Sequence, residues 1–144
     1  MTHVEKAVSQ FKQGHSCSQA VFSAYAPLLG VSENKALKIA CSFGGGMARM
    51  GETCGAVTGA FMVLGLKHGR VDPLDEQTKE KTYELVEQFV SRFKSRNRFI
   101  ACRDLLGCDI GDPEGHEMAE KNRLFDTLCP KLVQDAAEIL EELL

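Results

Sequence analysis

Six cysteines, Cys17, Cys41, Cys54, Cys102, Cys108 and Cys129, are the residues of this 144-residue chain whose type most directly carries chemistry. A thiolate is both a nucleophile and a soft metal ligand, so two chemistries follow: thiol–disulfide exchange, or ligation of a metal ion or an iron–sulfur cluster. No C-x-x-C occurs in the sequence, which removes the local signature of thioredoxin-like enzymes and of the usual zinc knuckle. C-x-x-C-H is absent as well, so covalent c-type haem attachment is not expected. Any site must be assembled from distant segments. The plain alternative is that free cysteines are small core residues.

The elements that would position these thiols read as helices throughout. Thr2-His3-Val4-Glu5 and Ser16-Cys17-Ser18-Gln19 have capping-box spacing, and Gly14 ends the first helix. The second helix turns Ala20, Val21, Ala24, Tyr25 and Leu28 inward, and a third, capped by Ser32, turns in Ala36, Leu37, Ile39, Ala40 and Phe43. Three consecutive glycines at 44–46 predict an irregular loop from Phe43 to Thr53. From Cys54 to Leu66 the chain is apolar on nearly every face, the pattern of a central buried helix. A long helix over 74–96 buries Tyr83, Val86, Phe89, Val90 and Phe93. A short one over 100–106 is closed by Gly107, and Asp112-Pro113-Glu114 opens another. The last helix starts at Cys129-Pro130, and its acidic C-terminal end opposes the macrodipole, which predicts fraying unless a partner covers it.

On this reading Cys17, Cys54, Cys102 and Cys129 each sit in or next to the first turn of a helix. Unpaired backbone N–H groups and the positive end of the dipole stabilise a thiolate there. The gain is large: a thiol near pKa 8.5 is only about 3% ionised at pH 7, whereas one lowered to 6.5 is about 75% ionised. Cys108, in a loop six residues after Cys102, is a weaker candidate. Cys41, beside Ile39 and Ala40, reads as a packed core thiol. Gly55 and Gly59, with Ala56 and Ala60, place a small-residue face on the apolar helix; close helix packing is the first expectation and a cofactor against that face the second.

The remaining polar residues carry less. His15 lies two residues before Cys17 but reads as a solvated loop residue, and His3, His68 and His116 as surface residues. The glycine-rich loop lacks the G-K-[ST] ending of a phosphate loop, and Arg49 within it reads as a solvated charge. No Ser/His/Asp grouping is apparent, and the glutamates read as exposed helical faces.

Composition sets the frame. With 44% hydrophobic and 26% charged residues the chain is an ordinary globular one, and its length suits a single domain over residues 1–144. Seventeen basic against twenty acidic residues, a net charge of −3, lack the broad positive field of a nucleic-acid binder. The longest apolar stretch is shorter than the roughly 20 residues a membrane span needs. Without an apolar secretory h-region the expected location is cytoplasmic, where permanent disulfides are uncommon. The fold class expected is all-α, an orthogonal or bundle-like array of about six to seven helices around the apolar glycine-bearing one.

Cys17 within Gly-His-Ser-Cys-Ser-Gln-Ala-Val, Cys-Gly-Ala-Val-Thr-Gly at 54–59, Cys102 within Ala-Cys-Arg-Asp-Leu-Leu-Gly, and Cys129 in order resemble the C_GCAxxG_C_C family of redox-active proteins. The resemblance runs from about Cys17 to the last helix and implies a small helical redox protein with those four cysteines at its centre; it implies no particular reaction. Three functions then compete. The favoured one is thiol–disulfide redox chemistry, an oxidoreductase in which Cys54 attacks and another of the four resolves, acting on a redox partner or small molecule. The second is a metal ion or iron–sulfur cluster held by Cys17, Cys54, Cys102 and Cys129. The third is a non-enzymatic helical module, its leucine-rich tail over 136–144 forming a homodimer or packing on its own core.

Overall fold

A computed structural model describes residues 1–144. The chain is all-helical, with eight helices of five residues or more: α1 His3–Lys12, α2 Cys17–Tyr25, α3 Glu33–Ala40, α4 Gly55–His68, α5 Glu76–Asn97, α6 Cys102–Leu106, α7 Pro113–Lys121 and α8 Cys129–Leu143. The count exceeds the six to seven expected. Short 3-10 turns at Ala26–Leu29 and Cys41–Phe43 extend α2 and α3.

The caps written in the sequence form. The Thr2 hydroxyl accepts from the Glu5 N–H at 3.0 Å while the Glu5 carboxylate accepts from the Thr2 N–H at 3.1 Å. Ser16 and Gln19 make the same reciprocal box at the start of α2. That box fixes the direction in which α2 leaves, and with it the placement of Cys17 as its first residue.

The main core gathers α1, α2, α4, α5 and α8, with Tyr25, Leu64, Phe89, Phe93, Leu132 and Leu140 among its buried members. In α4 everything from Gly55 to Ala60 is buried, followed by Val63 and Leu64. A second, smaller core contains Cys102, Leu106, Ile110, Ala119 and Cys129. Phe11, Cys17 and Leu128 pack against both, so they mark the seam between the two.

Several expected inward residues face solvent instead: Leu28 is 67% exposed, Ile39 52% and Tyr83 56%. Helical spacing defines a face, but the turn carrying Leu28 and the first half of α5 extend past the neighbours that would cover them. The acidic end of α8 is held within the chain. Arg96 binds Glu138 at 2.7 Å and the buried Asp135 at 3.2 Å, Arg92 binds Glu142 at 2.9 Å, and the Tyr25 hydroxyl donates to Glu141 at 3.1 Å. Intramolecular cations thus offset the unfavourable dipole that predicted fraying.

Candidate functional site

Four helix starts meet at the seam. Cys17, Cys102 and Cys129 are the first residues of α2, α6 and α8, and Cys54 is the N-cap of α4. Two local devices bring these distant segments together. The first is glycine packing of α4 on α2. A Cβ on Gly55 would stand 2.8 Å from the Ser18 nitrogen and 3.1 Å from Cys17 Cβ, and one on Gly59 would stand 2.9 Å from the Ser18 carbonyl oxygen. Only glycine lets the two backbones approach so closely, and that approach sets Cys54 beside Cys17. The face of Gly55 and Gly59 thus lies against α2, and Gly55 also borders the cavity described below.

The second device is a single antiparallel bridge between Thr53 and Ala101, the one β pairing in the chain. The Cys54 N–H donates to the Ile100 carbonyl at 2.7 Å and the Cys102 N–H to the Glu52 carbonyl at 2.6 Å. Both cysteines thus leave the bridge as the chain enters α4 and α6. Before it, Gly45 to Arg49 form five successive residues with left-handed φ, three of them non-glycine: Met47, Ala48 and Arg49. This is more ordered than the irregular loop the glycines predict. It closes on the Gly46 carbonyl, which accepts from the Glu52 N–H at 2.9 Å. A Cβ on Gly46 would lie 2.8 Å from Cys102 Cβ.

The thiols differ sharply. Cys54, Cys102 and Cys129 are buried, Cys17 and Cys108 half-buried, and Cys41 exposed. The Cys17 thiol interacts with both Cys129 and Cys54; these contacts, then burial, push its pKa well above the ordinary thiol value. The complement is seen at Cys54, whose pKa is lowered, first by the hydrogen bond from Cys17 and then by the Ala56 and Val57 backbone N–H groups, against the opposing effect of burial. Burial, followed by the neighbouring charges of Cys54 and Cys129, pushes Cys102 up to about 12. The three thiols are therefore unequal: the pKa of Cys54 is lowered, while those of Cys17 and Cys102 are raised.

These groups open on a cavity of about 1060 Å³ lined by Cys17, Cys41, Cys54, Cys102 and Cys129. Cys108 stays outside it, its thiol directed at the Leu106 carbonyl at 3.7 Å. Cys41 departs from its expected place in the core: α3 ends at Ala40, and the following 3-10 turn swings the side chain outward to the cavity rim. His116, expected at the surface, is half-buried on the cavity wall, with its ring 5.5 Å from that of Phe125. Arg49, Glu52 and Asp109 also border the cavity. For Arg49 and Glu52 the sequence signal is the glycine spacing at 44–46 and 51, which marks closely wrapped backbone; Asp109 carries no such signal. No group of three or more His, Cys, Asp or Glu side chains is arranged to hold a metal ion. No helix is long and apolar enough to cross a membrane.

The family described as "Putative redox-active protein (C_GCAxxG_C_C)" matches residues 15–143, a span that holds all six cysteines. No curated protein and no solved structure matches the chain.

Proposed function

The chain belongs to the C_GCAxxG_C_C family, and we propose that it acts by thiol–disulfide exchange, with Cys54 as the attacking sulfur and Cys17 as the resolving one. The observation that carries this reading is the juxtaposition of two unequal sulfurs: Gly55 packs against Cys17 and Ser18 so that Cys54 lies beside Cys17, and that contact lowers the pKa of Cys54 while raising that of Cys17. The family description supports a redox role in general; the assignment of sulfurs rests on this asymmetry.

The exchange balances without a further reactant. The Cys54 thiolate attacks one sulfur of a disulfide RS–SR, forming a mixed disulfide and expelling RS⁻, which takes the Cys17 proton. The Cys17 thiolate so formed attacks Cys54, expels the second RS⁻ and leaves a Cys17–Cys54 disulfide. Two electrons pass from the protein dithiol to the substrate disulfide. The same steps in reverse make the oxidised protein an oxidant of thiols. A lowered pKa raises the thiolate fraction from which attack occurs, and access decides which thiol reacts. Cys54 has access through the cavity, although the residue is only 4% exposed.

Mass spectra of anaerobically purified protein, before and after mild oxidation, test the reading. The expected result is loss of two hydrogens, recovered on reduction, with a peptide bridge between Cys17 and Cys54. A native mass carrying stoichiometric metal lost on denaturation would replace the reading with the metal one. Full reversible oxidation of Cys54→Ser would remove Cys54 from its role.

A further inference from the structure

The cavity is larger than the exchange itself needs. Small-molecule sites occupy roughly 300–1,000 Å³, and about 1060 Å³ open beside Cys54. Its floor is thiol and apolar. The other titratable side chains on its wall are Arg49, Glu52, Asp109 and His116. Their pairing separates them. Glu52 is neutralised by Arg103 at 2.6 Å. His116 has Nδ1 3.6 Å from Glu120. Arg49, exposed at the end of the left-handed turn, takes part in no ion pair, and Asp109, also exposed, accepts only the backbone N–H of Gly111, at 2.9 Å. Gly111 lies against the Arg49 carbonyl and beside the Asp109 carboxylate, so the two charged residues flank one stretch of the rim.

We infer that the substrate is a small disulfide, or the corresponding thiol, bearing both a carboxylate and an ammonium group: an amino-acid or short-peptide thiol whose carboxylate is met by Arg49 and whose ammonium is met by Asp109. The inference rests on the thiol–disulfide reading above. A free cation and a free anion on one rim select a zwitterion over a singly charged molecule, because either single charge meets one favourable and one unfavourable neighbour. An apolar wall with a few placed polar groups is how such cavities orient a ligand.

The test oxidises the full-length reduced protein with four disulfides: cystine, dithiodiglycolate, cystamine and 2-hydroxyethyl disulfide, which are zwitterionic, anionic, cationic and neutral. Each rate is divided by that of the same disulfide with a free small thiol, which removes differences in leaving-group chemistry. An exposed ion pair changes a rate by about threefold, so cystine should exceed the neutral probe by about tenfold at low salt. Arg49→Gln should cut the cystine preference about threefold and relatively favour cystamine. Asp109→Asn, which keeps the oxygen that Gly111 needs, should cut it similarly and relatively favour dithiodiglycolate. Four equal normalised rates, or an order that neither substitution shifts, would overturn the substrate class and leave the exchange chemistry standing. Failure of all four to oxidise the protein would overturn the exchange chemistry, and the substrate class with it.

Discussion

Cys17, the first residue of α2, lies beside Cys54, the N-cap residue of α4, and the contact raises the pKa of the first thiol while lowering that of the second. Each residue alone would be an ordinary helix-start cysteine. Replacing Cys17 by Ala removes the donor but keeps the burial, and the Cys54 pKa should rise. Alkylation of Cys54 at pH 7, followed by mass spectrometry, should slow in Cys17→Ala and less in Cys17→Ser, which retains a hydroxyl donor. Equal rates in all three proteins would break the link between the two residues.

The approach of α4 to α2 makes a second expectation. In Gly59→Ala the new methyl would lie 2.9 Å from the Ser18 carbonyl oxygen and 3.2 Å from Val21 Cβ, against backbone and core that cannot swing aside. The helices must part, at a cost of about 1–3 kcal/mol, and disulfide formation between Cys17 and Cys54 should slow. Gly65, on the same helix, has nothing within 4 Å of its Cβ position. Gly65→Ala should instead stabilise the protein by about 0.5–1 kcal/mol through helix propensity. Urea midpoints of the two variants should move in opposite directions.

Much of this was legible in the chain itself. The two capping boxes, the close of α6 at Gly107 and the start of α8 at Cys129 are local chemistry, and local chemistry is what sequence spacing reports. The same spacing put four cysteines at helix starts. Their convergence was not legible, because it depends on a bridge between residues 53 and 101 and on how deeply Gly55 and Gly59 let α2 approach. Cys41 was misplaced for a similar reason. A helical face continued past Ala40 buries it, whereas the observed tightening to a 3-10 turn exposes it. Arg49 and Asp109 gained meaning only when the left-handed turn put them on one rim.

That left-handed turn supplies a third expectation. Ala48 sits at φ 50°, ψ 43°, a conformation that costs a residue with a Cβ about 1–2 kcal/mol. Ala48→Gly relieves this strain, offset in part by the freer unfolded chain, and should raise stability by a few tenths to about 1 kcal/mol. Gly46 shares the conformation, but its Cβ would lie 2.7 Å from the Glu52 backbone nitrogen and oxygen and 2.8 Å from Cys102 Cβ. Gly46→Ala should destabilise and leave Cys102 more open to alkylation. A tolerated Gly46→Ala with unaltered Cys102 reactivity would show that the turn does not shield that thiol.

Cys102 gives the protein an alkaline weakness. Its folded pKa is pushed up to about 12 from an ordinary value of 9.0, chiefly by burial and then by the charges of Cys54 and Cys129. A raised pKa means that the folded state keeps its proton longer than the unfolded one. The stability due to this group is therefore whole below about pH 9 and is lost as pH climbs from there toward 12. Over that window one such group steepens the decline by at most about 1.4 kcal/mol per pH unit. Tyr25, raised first by burial and then by Glu141, acts in the same direction and stays in place as the background. Cys102→Ala should cost some stability at pH 7, yet its unfolding free energy should fall less steeply between pH 9 and 11 than that of the parent. Urea titrations at four or five pH values would show it; parallel slopes would mean that Cys102 ionises as freely in the folded protein as in the unfolded chain.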